Sequence, residues 1–271
     1  MISLTSCHSR LGLAGGILLA LWLLALLFGP DWLAALGFTL NPHGHAHLYA
    51  HGHPFADARM FWGVPNAVDV LSNVPLAVAG TAGLWALSTR RVSLEARWAL
   101  QVFFVGLLLS SVGSAWYHVM PSPAGLVADR MGMAVAFAGA LSLAVAERVG
   151  PRPVAVVLML MLLCGMVSAA LPFAHANVAP WAVVQFGGVA LIVWASFQRP
   201  VASAIGVHLG VLIGIYALAK ALEMGDEMVF RATGGWISGH SLKHVAAALA
   251  AWPVLVAIRR LPLRQNPAAR R

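Results

Sequence analysis

The sequence predicts an all-α, polytopic membrane helix bundle, and three observations carry that prediction. Of the 271 residues, 60% are hydrophobic and only 10% are charged, whereas a soluble domain carries about 25% charged residues. The apolar residues fall into eight runs, roughly 11–29, 67–88, 98–118, 124–146, 153–172, 178–197, 203–222 and 240–259, each long enough for a hydrocarbon core of ~30 Å. Most of the charges stand in the gaps between these runs, where loops at a membrane face belong.

The punctuation between runs supports each element in turn. The first run follows a short tail containing Cys7 and Arg10 and reads as a retained span, with a cleaved signal peptide as the alternative. Between it and the second run lies Asn41-Pro-His-Gly-His-Ala-His-Leu-Tyr-Ala-His-Gly-His53, which holds His43, His45, His47, His51 and His53. Met120-Pro-Ser-Pro123 joins the third and fourth runs and is short enough only for a tight hairpin between antiparallel helices. Pro151 and Pro153 divide the fourth run from the fifth, and Arg199-Pro200 divides the sixth from the seventh. No long internal repeat is detectable. The organisation expected is an N-terminal span with its His-rich loop over 1–60, a seven-transmembrane unit over 61–260 and a basic tail over 261–271.

The net charge of +8 raises the question of nucleic acid, but the charges do not form a groove-binding stripe. Arg10, Arg90, Arg91, Arg97, Arg148, Arg152, Arg199 and the C-terminal Arg259, Arg260, Arg264, Arg270 and Arg271 occupy the tails and alternate loops. The intervening loops hold Arg59 and Arg231, with Arg130 and Lys243 just inside helix ends. The positive-inside rule then puts both termini in the cytoplasm, and an even number of spans agrees with termini on one side. Cys7 and Cys164 are the two cysteines; they lie in different segments and suggest neither a disulfide framework nor a cysteine metal site.

Ionisable residues inside a membrane span are costly and mark function. Here they gather at one end of the expected bundle. Asp69 and Asn73 begin the second run, Ser114 and His118 end the third, Asp129 and Arg130 begin the fourth, and His240, Lys243 and His244 begin the eighth. The loop arginines, independently of these residues, put all of them at the outer face. His240 and His244 are spaced i, i+4, so both rings project from one helical face. With His118 they offer three nitrogens, and a three-histidine set leaves a fourth position open for water, as in catalytic zinc sites. Imidazole also suits copper, iron and nickel. Asp129 returns to the level of His118 across the hairpin, as a proton acceptor or as an orienting partner of a histidine. Ser114, one turn from His118, is placed to donate to an oxyanion.

The other polar residues have blander readings beside functional ones. Asp69 and Asn73 suit interhelical hydrogen bonds as well as a site. Arg130 pairs with Asp129 or anchors at headgroups, and Lys243 snorkels to the interface. Glu223, Asp226 and Glu227 read as solvated loop charges, with a calcium cluster as the alternative. His175 and His208 read as structural, and Trp32, Trp62, Trp116, Trp181 and Trp236 fit an interfacial belt. The His-rich loop fits metal capture for the site and nonspecific surface binding equally.

At the residues of the cluster the sequence resembles the alkaline ceramidases and the wider CREST superfamily of membrane hydrolases, which also includes adiponectin-receptor-like proteins. The resemblance rests on Ser114-Ala-Trp-Tyr-His118, on Asp129, on His240-Ser-Leu-Lys-His244, and on Gly63-Val-Pro-Asn-Ala-Val-Asp69-Val-Leu-Ser-Asn73. It covers residues from about 61 to 258 and implies a seven-helix hydrolase core behind one extra N-terminal span. It further implies zinc held by His118, His240 and His244, with Asp129 helping to activate a water and Ser114 stabilising the oxyanion. The implied activity is cleavage of the amide of a ceramide-like N-acyl lipid. Two departures stand out: Asn66 occupies a position where the family carries a carboxylate, and the family's acidic calcium-binding segment is not recognisable. The arginine-tailed, alanine-rich chain suggests a bacterial inner membrane. A lipid-binding or receptor protein with a structural zinc is the alternative function. A metal transporter, prompted by the His-rich loop, fits less well because the inner halves of the runs are almost free of polar groups, apart from Lys220 near an outer end.

Overall fold

The computed structural model describes residues 4–38, 49 and 54–264, so the His-rich loop lies outside the described residues except for Tyr49. The fold is all-α: α1 (Leu4–Ala35), α2 (Ala67–Leu71), α3 (Val74–Ser88), α4 (Leu94–Val119), α5 (Pro123–Arg148), α6 (Val154–His175), α7 (Ala179–Ser196), α8 (Leu209–Met224), α9 (Asp226–Ala232), α10 (Gly239–Leu249) and α11 (Ala251–Arg259). Among the described residues, seven helical stretches are long and apolar enough to cross a membrane, with α2–α3 and α10–α11 each counting as one.

Local chemistry explains where these elements begin and break. Ser93, Ser122 and Ser238 cap α4, α5 and α10, each accepting a hydrogen bond from the amide three residues on. The Pro-Ser-Pro hairpin between α4 and α5 is as the sequence predicts. Proline explains both breaks. Pro75 has no N–H for the Leu71 carbonyl, and Pro253 has none for that of Leu249, so α2 and α10 end at those residues. Cys7, read as part of the tail, lies within α1; it and Cys164 are both free and buried. The first span is docked in the bundle: Trp22 Nε1 donates to Ser168 Oγ at 2.8 Å, and Asn177 Nδ2 donates to the Ala25 carbonyl at 2.9 Å.

One run differs from its prediction. The stretch read as a span over 203–222 becomes helical only at Leu209, and α8 has 16 residues, about 24 Å. Its first residues are diverted to another task. The buried Glu147 carboxylate, near the end of α5, accepts the amides of Ile205, Gly206 and Val207 at 2.6, 3.0 and 2.8 Å. Gly206 turns the chain there with φ +89. This segment and α8 still join the two ends of the bundle, because α8 finishes where Glu223 meets Lys243 of α10. Glu147→Ala strips three amides of their acceptor; we expect a loss of about 3 kcal/mol, measured as a lowered unfolding midpoint in detergent.

α4 and α5 form the closest helix pair and approach through glycines. A Cβ on Gly106 would stand 2.2 Å from Ala136 N, one on Gly113 would stand 2.4 Å from Ala128 O, and one on Gly139 would stand 2.2 Å from Phe103 N. Small residues that let backbones touch are the usual means of association where lipid provides no hydrophobic drive between helices. Trp62 and Trp236 are exposed, as an interfacial belt requires, whereas Trp181 is buried against Ala134 and Ala169 and leaves that belt.

Candidate metal centre

The chain folds so that the start of α2, the end of α4, the start of α5 and the start of α10 meet at one end of the bundle. Three histidines converge there: His118 closes α4, and His240 and His244 stand one turn apart on α10. Their exposures are 1%, 8% and 5%. One ring nitrogen from each lies within 4.8 Å of the other two. The ring centroids form a nearly equilateral triangle, at 4.9, 5.1 and 5.0 Å. Three buried imidazoles so arranged could hold a metal ion. The spacing of the motifs foresaw this cluster.

The tautomer of His244 follows from its neighbours. Ser72 Oγ lies 2.7 Å from His244 Nδ1 and donates its proton to the Asp69 carbonyl, also at 2.7 Å. A hydroxyl has one proton, so Ser72 accepts from Nδ1–H. That fixes Nε2 of His244 as the nitrogen with a lone pair, and Nε2 faces Ser114 Oγ at 3.3 Å. A donor set with a ring already locked this way fits a metal, since bound histidines characteristically give their second nitrogen's proton to a fixed acceptor. Ser72 lies inside the segment quoted for the family resemblance, but nothing in the sequence singles it out; the only signal is a small hydroxyl inside an apolar span. Ser72→Ala should weaken metal binding about 10–100-fold, measured by competition with a chelator, while the three histidines remain.

Ser114 and Asp129 line one cavity with His244. The Ser114 hydroxyl faces His244 Nε2 at 3.3 Å. Arg130, at 9% exposure, is inside the bundle beside Asp129 rather than at the headgroups.

Asp69 joins helices. Its Oδ1 accepts from Ser241 Oγ and, at 3.3 Å, from Ser238 Oγ, tying α2 to the start of α10. Asn73 donates to the Asp69 carbonyl at 2.9 Å, and its own carbonyl accepts from Ser111 at 2.8 Å.

Three charged residues depart from their predictions. Asp226, read as solvated, is 4% exposed. Its Oδ1 accepts the His240 amide at 2.8 Å, and its Oδ2 accepts the Ala56 amide at 3.0 Å and the Tyr49 hydroxyl at 3.3 Å. Two buried backbone amides need an acceptor, and this carboxylate supplies it. Glu223, also read as a loop charge, belongs to α8 and bonds Lys220 and Lys243. Lys243, read as snorkelling outward, turns inward; its side chain is 16% exposed and its ammonium lies 2.9 Å from Glu223 Oε1. Glu227 pairs with Arg231 at the surface.

A strap over 54–66 covers the histidines. Phe55 is fully buried and packs on His118 and His240 with centroids 4.3 and 4.8 Å away. Asn66 Nδ2 donates to the His118 carbonyl at 2.7 Å, so this asparagine clasps the strap to the end of α4. Arg59 binds Asp57 at 2.6 Å and the Trp236 carbonyl at 2.9 Å. The Asp57 bond holds Arg59 above its ordinary range. Burial, then the nearby Asp226 carboxylate, pushes the Tyr49 hydroxyl up to about 12. A raised phenol keeps its proton, and with it the bond to Asp226, until pH climbs through that value.

Beneath the cluster lies an apolar cavity of about 170 Å³, walled by Leu76, Phe103, Leu107, Phe137 and Leu212. His244, Ser114, Asp129, Lys220, Glu223 and Lys243 also line it. Compared with known proteins, the chain matches no family model and no curated protein.

Proposed function

We propose that this protein is a zinc-dependent membrane hydrolase that cleaves the amide of a ceramide-like N-acyl lipid. One observation carries the reading: Ser114, 3.3 Å from His244 Nε2, stands with Asp129 at the head of an apolar cavity. The resemblance in motif order and the placement of the site at the outer face by loop charge support it.

His118, His240 and His244 would hold the metal. A zinc ion there would acidify a water to a pKa of about 7 and polarise the amide carbonyl. Asp129 takes the proton from the attacking water and returns it to the departing amine, so that a free acid and an amine leave. Ser114 donates to the carbonyl oxygen as negative charge develops on it. The apolar wall receives the acyl chain, and Phe55 screens the histidines from bulk water.

The test is release of fatty acid from N-acyl lipids by the protein in nanodiscs. Asp129→Asn should lower the rate about 10²–10⁴-fold and Ser114→Ala about 10²–10³-fold, each with metal content unchanged. Absence of turnover by the wild type, or full activity in both variants, would overturn the reading. A second reading, a lipid-binding protein with a structural zinc, draws support from Phe55, which seals one side of the cluster as a closed site requires. Tight lipid binding with no turnover would favour it.

A further inference from the structure

The cavity beneath the histidines has a definite depth. At its head stand Ser114 on α4, Asp129 on α5 and Glu223 on α8; at its far end the same three helices contribute Phe103, Ala140 and Leu212. In each helix the two residues are eleven positions apart. At about 1.5 Å per residue, three helices independently give one depth of about 16 Å. That is close to a single leaflet of a hydrocarbon core ~30 Å thick.

The far end is closed. Phe103, Ala140, Leu212 and, from α7, Ile192 are almost fully buried and belong to one packed core. One turn deeper, Leu100 on α4 and Ala144 on α5 are fully buried in that core and do not reach the cavity. Phe103 has little room to yield. Its ring meets that of Phe104 edge-on with centroids 5.2 Å apart, and a Cβ on Gly139 would stand 2.2 Å from its backbone nitrogen. A close-packed interior resists compression, so this floor sets a limit to whatever stands on it.

The bore is also narrow. The 170 Å³ is the space open to the centre of a water-sized sphere; spread over the depth, and with the sphere's radius added, it gives a bore about 6 Å across. One alkyl chain fills such a bore and two do not fit. Below the head the wall is apolar apart from Ser110 and from Gln185 and Tyr216, which bond each other at 3.1 Å.

We propose that the cavity is a ruler for one acyl chain, with Phe103 and Ala140 as the residues that set its limit. A carbon–carbon bond of about 1.5 Å at an angle near 111° advances an extended chain by about 1.25 Å, so the depth holds a chain of about fourteen carbons. The substrate class is then a medium-chain N-acyl lipid, whose head group and any second tail stay outside the bore. That the chain is an acyl chain rests on the hydrolase reading; its length rests on the cavity alone.

The experiment measures binding, not turnover, by the whole metal-loaded protein in nanodiscs. The probes are ketomethylene analogues of N-acylethanolamines, in which CH₂ replaces the amide nitrogen and hydrolysis is impossible, with decanoyl, lauroyl, myristoyl, palmitoyl and stearoyl chains. Affinity is expressed per mole fraction of lipid, so that the stronger partition of longer chains into the bilayer cancels. The wild type should keep its affinity as far as myristoyl and lose about tenfold by stearoyl, the scale of forcing extra methylenes into a packed core. Phe103→Ala lowers the floor and should carry full affinity through to stearoyl. Ala140→Leu raises the floor and should bring the fall forward to myristoyl. A folding defect weakens every member of the series together, so the chain length at which affinity falls is the readout. Stearoyl bound as tightly as myristoyl by the wild type, binding of no member, or a fall unmoved by both substitutions would overturn the proposal. A length limit that follows the floor in a protein with no turnover would remove the hydrolase and leave the ruler; turnover equal for all chain lengths would do the reverse.

Discussion

Replacing His240 and His244 together by alanine should strip the protein of its metal: about one zinc per chain in the wild type, and almost none in the variant. Elemental analysis of detergent-purified protein checks this, with His43, His45, His47, His51 and His53 replaced by serine in both samples so that the loop contributes nothing to the count. The size of the effect follows from the geometry. His118 would remain as the only member of a three-ring set packed at about 5 Å centre to centre, and one imidazole does not retain zinc against buffer. The substitutions are mild for the fold, because the start of α10 is held by other groups, namely the Ser238 cap and the Asp226 bond to the amide of residue 240. Hydrolysis, if present in the wild type, should vanish with the metal. Stoichiometric zinc that survives the double substitution would move the centre elsewhere; no zinc in either protein would remove the hydrolase as drawn.

Much of this centre was legible in the sequence because it depends on periodicity. The i, i+4 spacing of His240 and His244 and the short Pro-Ser-Pro hairpin between His118 and Asp129 bring those residues together on any regular helix. The loop arginines then place them at one end without reference to the site. Tertiary partners were less legible. Whether Lys243 points to lipid or inward depends on Glu223, which stands on a different helix. The burial of Asp226 depends on amides at 56 and 240, far apart in the chain. Ser72 acquires its role only when the break at Pro75 turns it towards α10. Hydropathy alone made 203–222 a span, since it is blind to Glu147 collecting amides from the first residues of that run.

Gly113→Ala should damage the centre without altering any residue in it. Gly113 immediately precedes Ser114, and a Cβ there would lie 2.4 Å from Ala128 O, 2.7 Å from Ala128 C and 3.0 Å from Asp129 N. All three are backbone atoms, so no side chain can rotate away, and the helices must separate by an amount on the order of 1 Å. That separation falls directly between Ser114 and Asp129, the two side chains whose relative placement the mechanism needs. Overpacking of this kind costs about 1–3 kcal/mol, visible as a lower unfolding midpoint, and a misplacement of about 1 Å costs roughly 10²-fold in rate. Gly214→Ala is the matched control: it lies within α8 with nothing inside 4 Å of the added carbon, and alanine there should leave stability equal or raise it by up to about 1 kcal/mol. If Gly113→Ala leaves both the midpoint and the rate where Gly214→Ala does, the α4–α5 contact does not set the Ser114–Asp129 spacing. If the midpoint falls but the rate holds, the contact supports the bundle and the reacting groups are positioned from α10 instead.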